Sequence, residues 1–92
     1  MPTFYFHLRD GADILIDPDG IELAGLPAIV ARALTEARSI ISADALDGHI
    51  DLNQRIDVED ASGALVHRLE FANAITMGPM GPTNGPGRLK KI

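Results

Sequence analysis

The chain has no cysteine and no tryptophan, and only one tyrosine and three phenylalanines among its 92 residues. Without cysteine there is no disulfide framework, no thiolate metal site and no cysteine nucleophile. With so few aromatics the core must be built from Leu, Ile, Val and Ala, which predicts modest stability. No segment approaches the roughly 18 consecutive apolar residues of a membrane span. The opening Met1-Pro2-Thr3-Phe4 has neither the basic nor the long apolar region of a secretory leader, so a cytoplasmic chain is expected. The length and lack of internal repeats predict one domain, small enough that a partner or self-association would help it.

Basic residues are also scarce and unevenly placed. Of 8 Lys and Arg, three (Arg88, Lys90 and Lys91) follow Met77, which leaves 5 against 13 acidic side chains over residues 1–76. The body is thus at −8 within a chain of −5. An acidic body is a poor match for a phosphate backbone, which rewards Lys and Arg through counterion release. Nucleic-acid contact by the body is therefore disfavoured.

What is present is a clear period-2 run. Phe4, Phe6 and Leu8 alternate with Tyr5, His7 and Arg9, as in a strand with one face on a core. Asp10-Gly11 supplies a turn and Asp13-Ile14-Leu15-Ile16 a second strand. A three-residue connection through Ala12 would set Leu8 opposite Ile14, Phe6 opposite Ile16 and Arg9 opposite Asp13, pairing apolar with apolar and charge with charge. Asp17-Pro18-Asp19-Gly20 reads as a type I turn with Pro18 pre-set at its second position. Ile21-Glu22-Leu23 leaves it extended.

From Pro27 to about Leu46 the spacing becomes helical. Val30, Ala33, Leu34, Ala37, Ile41 and Ala45 form an apolar stripe opposite Arg32, Glu36 and Ser39, flanked by Ile29 and Ile40 as partly exposed neighbours. Pro27 suits the first turn, with Leu26 before it as a poor N-cap, and Gly48 suits the left-handed position after the end. Asn53 to Glu59 and Leu65 to Phe71 form a second hairpin around Asp60-Ala61-Ser62-Gly63, with Val58 beside Leu65 and Ile56 beside His67. Residues 77–92 are rich in Gly and Pro and are expected to be a disordered tail with a basic end. The fold class is α+β, in the order β-β-α-β-β: a small, mainly antiparallel sheet over residues 1–76 with one long amphipathic helix on one face. The first strand, the most apolar, should be central.

The run Tyr5-Phe6-His7-Leu8-Arg9-Asp10-Gly11, followed by Asp17-Pro18-Asp19-Gly20-Ile21-Glu22-Leu23 and an Ala-rich helix, resembles a family of small bacterial domains of unknown function. The resemblance covers about residues 3–75, including the closing hairpin of Ile56 to Phe71. It implies the domain boundaries and no chemistry. A looser likeness of shape links the pattern to antitoxin-type domains with one helix on a short antiparallel sheet.

Tyr5, His7 and Arg9 should project from the sheet face away from the helix, with Asp13 beside Arg9. These four are the candidate interaction patch. A His beside an acid also suits proton transfer, but no Ser, Cys or second carboxylate at fixed spacing marks a nucleophile, so no catalytic residue is assigned. His67 alternates with Leu65, Leu69 and Phe71, which turns it toward the helix, where a backbone group or the helix should satisfy it. His7 and His67 then lie on opposite faces, and no shared metal site is expected. His49 sits in a loop between Asp47 and Asp51 as a solvated residue. Asp17, Asp19 and Glu22 resemble part of a calcium loop, yet Leu15 and Leu26 occupy the anchoring first and twelfth positions. Leu15 and Val66 should be exposed apolar residues on the open sheet face.

No cofactor is expected. The expected role is a non-catalytic protein-interaction or regulatory module, self-associating, that presents the open sheet face. The alternative is an antitoxin-like regulator contacting nucleic acid through the tail residues Arg88, Lys90 and Lys91.

Overall fold

The computed structural model describes residues 1–75. Among the described residues five antiparallel strands and one helix follow in the order β1 (Thr3–Asp10), β2 (Asp13–Leu15), β3 (Ile21–Glu22), α1 (Leu26–Leu46), β4 (Gln54–Asp60) and β5 (Leu65–Glu70), and a 3-10 turn (Phe71–Asn73) comes after β5. The strand order is β2-β1-β4-β5, with β3 also on β1. The most apolar strand is internal, as its composition predicts. The short β3, pairing Ile21 with Phe4 and Glu22 with Thr3, is the extended Ile21-Glu22 segment recruited to the sheet.

Both hairpins differ in register from expectation. The first closes through two residues, Gly11 and Ala12, so that Asp10 faces Asp13, Arg9 faces Ile14 and Leu8 faces Leu15. Gly11 takes φ of 62° while no non-glycine among the described residues has positive φ, a distribution that suits a tight hairpin turn with glycine first. The tight turn shifts the partners and separates Arg9 from Asp13. It also places Leu15 on the helix side and Ile14 on the open side, so that Leu15 is exposed as expected, but not on the open face.

In the second hairpin Val58 pairs with His67 and Ile56 with Leu69, two residues further along β5 than expected. An irregularity between Val58 and Glu59 then pairs Glu59 with Leu65. The turn itself is held by the Asp60 carboxylate, whose Oδ1 accepts from the Ser62 amide (2.9 Å), the Ser62 hydroxyl (2.6 Å) and the Ala64 amide (3.0 Å). Because the shift at Ile56 and Val58 is an even number of residues, their partners keep their faces.

Helix α1 begins after Gly25, with Leu26 already helical and Pro27 in its first turn. Its end is a Schellman motif: the His49 amide donates to Asp44 O (3.0 Å), the Gly48 amide to Ala45 O (2.9 Å), and Gly48 has φ of 82°. The buried line runs through Ile29, Ala33 and Ala37, not through Val30 and Ala45, which are exposed. Phe4, Phe6 and Phe71 fill the space beneath, so only alanine fits at the centre of the contact, and Ile29 turns inward to continue that line. Ile56, Val58 and Ala74 complete the buried core, with Leu34, Ile40, Ile41 and Leu69 packed around it. Phe71 leaves the strand to become the largest fully buried side chain. Arg38 ties this end to the helix by donating to Ala74 O at 2.7 Å.

Candidate functional site: the open sheet face

Alternation along β1, β4 and β5 builds a polar grid on the face away from α1. Tyr5 faces Glu59, His7 faces Asp57, and Arg9 faces Arg55; across β4, Asp57 faces Arg68 and Arg55 faces Glu70. Three of the four residues of the expected patch are therefore together here. Asp13 is not: it stands opposite Asp10 at the hairpin end.

Asp57 is the centre of the grid, and its position could not be singled out by spacing. It is 2 % exposed. Arg68 donates from Nε to Oδ1 at 2.7 Å and from Nη2 to Oδ2 at 3.3 Å, a two-point grip. Arg9 Nε lies 2.8 Å from Oδ2, and Arg55 Nε 3.5 Å from Oδ1. These last two are ion pairs by distance, but neither N–H is aimed as a hydrogen bond, and both Nε atoms are buried with no aligned acceptor among the described residues. Burial acts to raise the Asp57 pKa. The Arg68 hydrogen bonds and the charges of Arg68, Arg55 and Arg9 outweigh it and hold the carboxyl below the ordinary aspartate range.

His7 is buried, contrary to the solvated strand position expected. Its Nδ1 accepts a hydrogen bond from the Asp17 amide (3.0 Å), and its Nε2 lies 3.3 Å from Glu59 Oε1. An accepting Nδ1 puts the proton of the neutral ring on Nε2, facing the carboxylate. The lone pair a general base would use is thus engaged with the backbone. The Tyr5 ring lies nearly parallel to the imidazole, 14° off, at a centroid distance of 6.5 Å.

Asp17 explains why His7 is covered. Between β2 and β3 the outer edge of β1 has no strand partner, and Asp17 Oδ2 accepts the Phe6 amide there at 3.1 Å. Its Oδ1 accepts the amides of Asp19 (3.2 Å) and Gly20 (3.1 Å). The expected turn is therefore a side-chain-closed one. Burial again acts to raise this pKa, and the three amide donors outweigh it, so the group sits below its ordinary value. The calcium-loop resemblance ends in a carboxylate already filled by N–H donors.

On the other side of the sheet His67 points toward the helix as expected, but its Nε2 is buried with no partner among the described residues, where a backbone or helix acceptor was anticipated. A separate open groove of about 600 Å³ lies between α1 and the β1 edge, floored by Phe6, Leu8, Ile21 and Ile40. Leu15 and Ile16 line its exposed rim. Arg88, Lys90 and Lys91, the expected tail contact, lie outside the described residues, as does any ordering of residues 77–92. No helix of the described residues is long and apolar enough to cross a membrane.

The family model described as Domain of unknown function (DUF6894) matches residues 3–72. The chain belongs to the DUF6894 family. The match takes in every strand, the helix and the whole Asp57 grid, in keeping with the resemblance read from Tyr5–Gly11. No curated protein and no solved structure gives a significant match.

Proposed function

We propose that this DUF6894 domain is a non-catalytic protein-interaction module that docks a partner chain, or a second copy of itself, on the open sheet face. One observation carries the reading: the polar side chains of that face are fixed by one another. Asp57 is buried beneath Arg9, Arg55 and Arg68, and His7 is held between the Asp17 amide and Glu59. A surface ordered before contact loses little side-chain freedom on binding. It is bordered by partly exposed Ile14, Leu65 and Val66, and no described element lies over it.

Quantitative affinity capture with the full chain, compared with Tyr5→Ala and Arg68→Ala chains, tests this. A partner held by the wild type and lost from both substituted chains is the expected result, and sedimentation would identify a second copy as that partner. Equal capture by all three folded chains would remove the open face from the interaction.

A further inference from the structure

We infer that the Arg9–Arg55–Arg68 cluster is a carboxylate-binding site, completed by an Asp or Glu side chain of the partner. This inference rests on the docking reading and names the chemistry it uses. Three guanidiniums converge on one carboxylate, and no other acid of the described residues lies within ion-pair distance of them. Glu59 is engaged with His7. Glu70 stands across from Arg55 without an ion pair to it. Counting Asp57 and also Glu70, whose charge acts on Arg68, the cluster carries an excess of one positive charge within a body that is strongly acidic. Arg9 and Arg55 are directly opposed on neighbouring strands, and a single carboxylate, Asp57, lies within ion-pair distance of both to offset the two like charges.

The donor count leads to the same conclusion. Each guanidinium has five N–H donors and no acceptor. Arg68 uses two nitrogens on Asp57. Arg9 and Arg55 make no aligned hydrogen bond among the described residues; their buried Nε atoms meet Asp57 by ion-pair distance alone. Their terminal nitrogens are not among the buried unsatisfied atoms, so they reach solvent at the face where a partner would arrive. A planar carboxylate accepting from the solvent-facing terminal nitrogens of two such forks supplies the missing charge and replaces water there as the acceptor. The surrounding acidity favours a single carboxylate on a peptide over a polyanion, which long-range repulsion would exclude.

The test is a titration of the full chain, 15N-labelled on arginine, with a short glutamate-containing peptide, its glutamine counterpart and inorganic phosphate at constant ionic strength. The glutamate peptide should shift the Nε–H resonances of Arg9 and Arg55 saturably. The glutamine peptide should bind roughly tenfold more weakly or worse, as expected for losing a charge-assisted pair, and an Arg55→Gln chain should lose the response while keeping its amide spectrum. Equal shifts from both peptides, a response to phosphate alone, or no saturable shift would overturn the carboxylate site. Because wild-type protein distinguishes the peptides, the result stands even if the substituted chain unfolds. The docking reading fails separately, by equal partner capture from the Tyr5→Ala and Arg68→Ala chains.

Discussion

Asp57 lies on a strand between Ile56 and Val58, all three buried, yet it is charged and faces the polar side. Its low pKa arises because burial, which acts to raise it, is outweighed by the Arg68 hydrogen bonds and the surrounding guanidinium charges. Asp17 is lowered in the same sense, its burial outweighed by the amides of Phe6, Gly20 and Asp19. A carboxyl depressed in the folded state stabilises fully above its unfolded pKa, about 4, and that stability is lost as pH falls through the folded value. Urea denaturation should therefore show stability nearly constant from about pH 7 to 5 and declining below about 4. Asp57→Asn should lower stability at neutral pH by about 2 kcal/mol, less than for a fully buried pair because the arginines are partly exposed, and should flatten the acid decline. An unchanged acid limb in that variant would refute the assignment. At this scale His7 and Arg9 were legible as open-face residues, since alternation alone places them there. Asp57 and Asp17 were not, because Arg68, which grips the one, and the Phe6 amide, which the other caps, are each 11 residues away and are brought there only by the folded sheet.

At the scale of elements, the β2–β3 connection determines how β1 is finished along its outer edge. Gly20 has φ of 71°, and a Cβ there would lie 2.6 Å from Thr3 Cγ2, 2.8 Å from Tyr5 Cε2 and 3.0 Å from Phe4 O. Gly11 also has positive φ, 62°, but open space around it. Gly11→Ala should thus cost only the conformational penalty, about 1 kcal/mol. Gly20→Ala should cost about 2–3 kcal/mol because the Thr3 and Tyr5 side chains must shift and the Phe4 carbonyl must give slightly as well. It should also speed hydrogen exchange of the Phe6 amide, whose acceptor is Asp17. Equal losses in the two variants would show that the close approach at Gly20 is not under constraint. The Asp17–Gly20 turn was readable from composition, whereas its contact with Tyr5 depends on β3 returning to β1. Likewise the helix was readable from period and caps, but a stripe spanning Ile29 to Ile41 leaves its rotation to the three phenylalanines under it.

For the molecule as a whole, the buried core among the described residues is small, with nine apolar residues of which three are alanine. Phe71 contributes its largest fully buried side chain and joins the 3-10 turn to helix and sheet. Phe71→Ala should cost about 3–5 kcal/mol, a large part of the 5–15 kcal/mol usual for such a domain. Thermal or urea denaturation of the full chain should show it close to unfolding; a loss under about 1 kcal/mol would mean that the turn packs less firmly than its burial implies. The amino-acid sequence by itself determined the strand and helix identities, the central place of β1 and the two faces of that strand, because periods of 2 and 3.6 and turn-forming residues act over a few positions. Only the tertiary structure decided both hairpin registers, the helix rotation, the burial of His7 and the gathering of Arg9, Arg55 and Arg68 on Asp57. These depend on the geometry of closed turns and on close packing between distant segments, which local spacing does not encode.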